Sequence, residues 1–185
     1  MRLFAAIEIP PEIRESLWGL TEGLPGADWV DPETYHITLR FIGDAGRAET
    51  EEIDQALSEL STPGFALSLA GVDFFQTAGR PRSLWAGVSR SPPLLQLARR
   101  IDRVIVEGGR NPEERAFTPH VTIARLSDIG APQVMRFVGQ HALYRSPPFA
   151  VDRFTLFESR QGKGGPAYAP LADYALGGAV RPCIF

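Results

Sequence analysis

Two short stretches about half the chain length apart, HITLRFI at 36–42 and HVTIARL at 120–126, carry one pattern: histidine, branched apolar, threonine, branched apolar. In the first, Ile37, Leu39 and Phe41 recur at every second position and Gly43 ends the run, the mark of a half-buried strand. Successive strand side chains point to opposite faces, so burying that set turns His36, Thr38 and Arg40 the other way. The same parity puts His120, Thr122 and Ala124 on one face of the second strand. Each copy follows a helix-like stretch in a strand-helix-strand context, as an ancestral duplication of one lobe would leave it. Two such strands facing each other across a cleft bring two imidazoles and two hydroxyls to one place.

The rest of the chain alternates strand-like and helix-like stretches with Pro and Gly between them. Strands are predicted over 2–9, 35–43, 65–75, 83–88, 119–126, 149–160 and 167–177. Helices are predicted over 11–20, 47–60, the run PPLLQLARRIDRVIVEGG, and 132–141. Ile13, Leu17 and Leu20 share one helical face, as do Ile53, Ala56, Leu57 and Leu60, and Leu94, Leu97, Ala98, Ile101, Val104 and Ile105. This interleaving predicts an α+β fold with mainly antiparallel sheet.

With 185 residues, 44% of them hydrophobic and 22% charged, the chain is expected to fold unaided as a single domain over 1–185. A net charge of −3 argues against broad binding to duplex DNA, which needs many phosphate-neutralising cations, and leaves a small anionic site open. The lone cysteine, Cys183, excludes an intrachain disulfide and favours a reducing compartment. The opening MRLFAAIEIP lacks the features of a signal peptide, and no apolar run approaches the roughly 18 residues of a membrane span. A cytoplasmic monomer without membrane contact is the expectation.

Histidine, with an unperturbed pKa near 6.5, gives or takes a proton at neutral pH, and a threonine hydroxyl donates to a phosphate oxygen. Two bases and two anion donors describe a phosphodiester-cleaving site that requires no metal or cofactor. Arg125 is the obvious cation, but a regular strand turns it away from the cleft; a bulge or strand end near Ala124 is needed to redirect it. On parity alone Arg40 is better aimed. A non-catalytic module that cradles a terminal phosphate fits the same residues. A metallohydrolase using His36 and His120 as ligands fits less well, because neither motif brings a nearby carboxylate. His141, Trp29 and Trp85 read as structural, QGKGGPAY as a hairpin connection, and the acidic run at 49–54 as a solvated helix face.

The paired motifs, with RLFAAIEIP, ITLRFIGD, FTPHVTIAR and the late LFESR…Y, resemble the 2H phosphoesterase superfamily, in its branch of RNA 2′,3′-cyclic phosphodiesterases historically called 2′-5′ RNA ligases. The resemblance spans essentially the whole chain. It implies a bilobal, pseudo-two-fold duplicated fold, with an antiparallel sheet in each lobe lining a central cleft and helices packed outside. It implies hydrolysis of 2′,3′-cyclic phosphates on RNA ends or small nucleotides to 2′-phosphates, and in some members 2′-5′ joining of RNA. By that pattern His36 protonates the departing 3′ oxygen, His120 activates water, Thr38 and Thr122 hold phosphate oxygens, and Arg125 lies near the phosphate or base. Phe4, on a strand bordering the cleft, stacks on a base or packs in the core. Tyr168 and the loop from Arg160 to Gly165 border the cleft.

Overall fold

The first strand, β1 (Arg2–Glu8), is covered on both sides, and its alternation sets the layering of the molecule. Leu3, Ala5 and Ile7 point into the main core, whereas Phe4 and Ala6 form a small separate cluster with Phe157 on the opposite face. The computed structural model describes residues 1–162 and 165–177; Cys183, together with Lys163 and Gly164 of the loop expected beside the cleft, lies outside the described residues.

From β1 the chain runs through α1 (Pro11–Trp18), β2 (Asp28–Trp29), a single 3-10 turn (Pro32–Thr34), β3 (His36–Asp44) and α2 (Arg47–Ser58). It continues through β4 (Phe65–Leu67), β5 (Leu69–Thr77), β6 (Arg80–Val88), α3 (Pro92–Glu107), β7 (His120–Arg125) and α4 (Ala131–His141). β8 (Phe149–Val151), β9 (Arg153–Gly162) and β10 (Gly165–Ala175) complete the described elements. The four predicted helices form where the apolar period places them. Proline or a capping side chain opens the clearest of them: Pro11 begins α1, and Ser91 caps α3 by accepting from the Leu94 amide at 3.3 Å. α3 buries Leu94, Leu97, Ala98, Ile101 and Ile105 against the sheet, each large aliphatic contributing about 1.5–3 kcal/mol of transfer free energy. No helix among the described residues is long and apolar enough to cross a membrane.

The strands pair antiparallel in the order β10-β9-β1-β3-β7-β6-β5, with β2 added to β7. The two motif strands, β3 and β7, lie at the centre and meet at one residue pair, Ile37 with Val121. Lobes therefore spread from this pinch: β1, β9 and β10 beside β3, and β6 and β5 beside β7.

Two predicted strands are broken. The stretch expected over 65–75 divides at Ser68 into β4 and β5, and that over 149–160 divides at Asp152 into β8 and β9. The short pieces pair with each other in a two-stranded sheet, and the long pieces enter the large one. The repeat is thus strand, helix, strand, helix, short strand, long strand. Its last strand crosses over, with β5 of the first copy pairing β6 and β9 of the second pairing β1. Neither lobe is one half of the chain. A two-residue turn at Ala78 and Gly79, both with positive φ (49° and 75°), closes the β5–β6 hairpin with the twist such hairpins favour.

Candidate active site

Both motif strands depart from regular alternation at the same place. β3 carries one extra residue, Leu39, between the positions facing Ala6 and Ala5 of β1; β7 carries one extra residue, Ile123, between those facing Trp85 and Leu84 of β6. Each bulge follows the motif threonine and reverses the facing of the residues after it, in β3 as far as a second shift at Ile42. In β7 it places Ile123 and Ala124 consecutively in the core and turns Arg125 outward to line the cleft. That resolves the parity conflict at Arg125. In β3 the equivalent bulge overturns two expectations. Arg40 is 8% exposed on the helix side rather than aimed at the cleft, and Phe41, expected in the core, is 55% exposed while Ile42 takes its buried place.

The cleft between the lobes has a volume of about 500 Å³, and His36, Thr38, His120, Thr122 and Arg125 all line it. Antiparallel register through the Ile37–Val121 pair sets His36 toward Thr122 and Thr38 toward His120, so each imidazole neighbours the other lobe's hydroxyl. His36 Nδ1 lies 2.7 Å from the Thr34 carbonyl, and His120 Nδ1 lies 2.6 Å from the Thr118 carbonyl. A carbonyl only accepts, so in both rings Nδ1 carries the donating hydrogen and Nε2 is left for a ligand. The same device, a carbonyl two residues earlier, fixes both tautomers.

Burial lowers the pKa of both histidines below the ordinary 6.5, and the backbone carbonyls at Thr34 and Thr118 raise each part of the way back. Positive charge on His120 lowers His36 further. The enclosing groups are aromatic: Phe4 and Tyr168 lie 5.1 Å from the His36 ring, and Phe75 and Trp85 lie 4.9 and 5.7 Å from the His120 ring, centroid to centroid. Trp85, expected as a core anchor, lies half-buried beside the His120 ring. Opposite His120 stands Gly87, where a Cβ would come within 2.6 Å of the Ala70 carbonyl oxygen. Only glycine lets β5 and β6 approach so closely there.

Phe4 lies on the cleft face but is 3% exposed, wedged among His36, Phe41, Phe157 and Tyr168. It packs beneath the His36 ring and offers no open face to a base. Phe41 and Tyr168 hold the rim. His141 lies against Phe137 at the end of α4, 4.4 Å between centroids with the rings tilted, and takes no part in the cleft lining. Sequence reasoning missed Arg82, Ser83 and Arg2, which also line the cavity. Arg82 sits in the stretch read as the TAGRPR turn; β6 in fact begins at Arg80, three residues before its predicted start. Among the described residues the lining holds three arginines and no carboxylate, an anion-attracting hollow in a chain of net negative charge. Among the described residues no group of three or more His, Cys, Asp or Glu side chains comes together to hold a metal ion.

Residues 10–163 match the 2′-5′ RNA ligase superfamily. The chain is 31% identical over 174 residues to a protein of Archaeoglobus fulgidus named RNA 2′,3′-cyclic phosphodiesterase, spanning 92% of this chain and 98% of that one. Its fold superposes on the crystal structure of TT0787 of Thermus thermophilus with a TM-score of 0.80 at 25% identity, covering 97% and 100% of the two chains. With the crystal structure of E. coli LigT complexed with 3′-AMP the TM-score is 0.78 at 27% identity, covering 95% and 97%. Matched over most of its length by sequence and by fold alike, the chain belongs to the 2′-5′ RNA ligase superfamily.

Proposed function

We propose that this protein is an RNA 2′,3′-cyclic phosphodiesterase, opening the cyclic phosphate on RNA ends or small nucleotides to a 2′-phosphate without a metal or cofactor. One observation carries the reading: two imidazoles, each with Nδ1 tied to a carbonyl, turn Nε2 toward one arginine-lined hollow. Related proteins carry the same name, and E. coli LigT has been crystallised with 3′-AMP.

In the proposed step one imidazole takes a proton from water as its oxygen attacks phosphorus. The P–O3′ bond breaks, and the other imidazole gives a proton to the departing 3′ oxygen. Thr38 and Thr122 donate to the non-bridging oxygens, and Arg125 meets the charge that develops on them. The family pattern makes His36 the acid and His120 the base. The environment of the free protein favours the opposite division: charge on His120 lowers the His36 pKa further, which suits His36 to the part of the base. The exposed Phe41 ring offers a stacking face for the base, in place of Phe4. The protein acts as a cytoplasmic monomer on this reading.

Phosphorus NMR of a 2′,3′-cyclic mononucleotide incubated with the protein in EDTA tests the proposal. A 2′-phosphate is expected, and H36A and H120A should each lower kcat by about 10²–10⁴-fold with circular dichroism unchanged. Tight binding without turnover would instead identify a phosphate-binding module, and loss of turnover in EDTA would point to a metal.

A further inference from the structure

The two motif histidines are held by carbonyls that precede them, and the segments bearing those carbonyls are secured in different ways. Before His36 the backbone secures its own segment. β2 pairs with β7, the Val30 amide donates to the Ile123 carbonyl at 3.0 Å, and the Ile9 amide donates to the Tyr35 carbonyl at 3.3 Å. Before His120, residues 111–119 form no helix or strand, and none of them takes part in a backbone–backbone hydrogen bond to another part of the described chain. Phe117 packs against the main core, and among the described residues the one sheet side chain that makes polar contact with the segment is Arg40.

Its guanidinium makes four contacts. Nη1 donates to the Phe41 carbonyl at 2.6 Å, and Nη2 donates to the Asn111 carbonyl at 2.5 Å. Nε lies 2.7 Å from Asp102 Oδ1 on α3, and Nη1 lies 3.5 Å from Glu113 Oε2. Asp102 Oδ1 also accepts from the Glu113 amide at 3.3 Å, so the same cluster grips the segment at two residues, Asn111 and Glu113. Glu113 is held ionised: burial pushes its carboxyl up, but the Arg115 amide and side chain together with Arg40 outweigh it and leave the pKa lowered. A guanidinium this deeply buried is tolerated only when paired and hydrogen-bonded. Five residues past Glu113 stands Thr118, whose carbonyl holds His120. Arg40 is the fourth residue after His36, and Ala124, the fourth after His120, is its counterpart; at Ala124 the position is served by backbone pairing with Trp29.

We propose that Arg40 is the positioning residue for His120. Thrown behind the sheet by the Leu39 bulge, it replaces the missing strand pairing on this side and fixes the segment whose Thr118 carbonyl sets the His120 tautomer. The first lobe's motif strand thereby orients the second lobe's imidazole. The inference rests on the phosphodiesterase reading for its kinetic consequence and on geometry alone for its structural one.

The test compares R40M, which keeps the buried stem, with R40K, D102N and E113Q in the full chain. The readouts are kinetics on a 2′,3′-cyclic mononucleotide and ¹⁵N NMR of the imidazoles. R40M is expected to lower kcat about 10- to 100-fold with KM within about threefold, since misplacing a catalytic group by about 1 Å costs on that order. The His120 nitrogens should move from a single Nδ1–H tautomer toward an average, with those of His36 unchanged, and R40K should restore only part of either effect. D102N and E113Q loosen the same clamp without altering the sheet. They should move His120 in the same direction, and they carry the test if R40M does not fold. Wild-type kcat in a folded R40M, or equal disturbance of both histidines, overturns the proposal. If the wild-type protein hydrolyses no cyclic phosphate, the functional reading fails while the tautomer measurement still decides this one.

Discussion

The half of the cleft around His36 and the half around His120 share a backbone down to the bulge after the threonine, yet the side chains flanking the motifs are exchanged. Facing Thr38 and Phe41, β1 presents Ala6 and Phe4; facing Thr122 and Arg125, β6 presents Trp85 and Ser83. The large residue has moved one step along the strand. In the His36 half Phe4 fills the space beneath the imidazole and Phe41 is pushed out over the rim. In the His120 half the small Ser83 leaves room for Arg125 to lie in the cleft, while Trp85 lies beside the imidazole. Two-fold geometry supplies a matched pair of imidazoles, and the exchange of sizes gives one half a cation and the other an aromatic rim. A cyclic phosphate is itself lopsided, with charge on one side of phosphorus and sugar and base on the other.

The largest effect that breaks this comparison is expected at Arg125. R125A should lower kcat/KM for a cyclic mononucleotide by about 10²-fold, the usual cost of removing one donor aimed at developing charge. Fluorescence or NMR binding of inorganic phosphate should weaken in parallel. A variant that retains wild-type kcat/KM would leave Arg82 and Arg2 as the cations that matter.

A smaller effect is expected in the other half. F41A removes a rim aromatic and should raise KM by a factor of about five for a base-bearing cyclic nucleotide, corresponding to about 1 kcal/mol of stacking. A ribose cyclic phosphate without a base should be handled as before. Equal change with both substrates would make Phe41 a support of the Phe4 cluster rather than a contact for the base.

How much of this was legible in the sequence follows from where local pattern decides and where pairing does. The four helices were readable because each buries one face with a period that no other element shares, and α3 is the clearest case. The histidines and threonines were readable because the pattern recurs. The bulges were not: a bulge is a relation between two strands, and nothing in ITLRF distinguishes a regular strand from one that gains a residue against β1. That single omission placed Phe41 in the core and Arg40 on the wrong face. The breaks at Ser68 and Asp152 were hidden for the same reason, since each marks where a strand changes partner. Phe4 was read on the correct face, but its burial depends on Phe157 and Tyr168, which arrive from the far end of the chain.

The finest distinction between the halves lies in what sets the pKa of each histidine. Burial lowers both, so the pH window of kcat/KM, which needs one imidazole neutral and the other charged, should lie below the ordinary histidine value of 6.5. Activity should fall as pH rises through the pKa of the acid and as it drops through that of the base. Charge on His120 lowers His36 further. The neutral replacement H120Q should therefore raise the His36 pKa, while burial still holds it below the ordinary value. H36Q should leave the His120 pKa where it was, because burial and the Thr118 carbonyl set its shift. A ¹⁵N titration of the two variants reads both shifts directly. The reverse outcome, with His120 moving in H36Q and His36 fixed in H120Q, would return the acid's part to His36 and the base's to His120, and would mean that the more enclosed half holds its proton longer than burial alone permits.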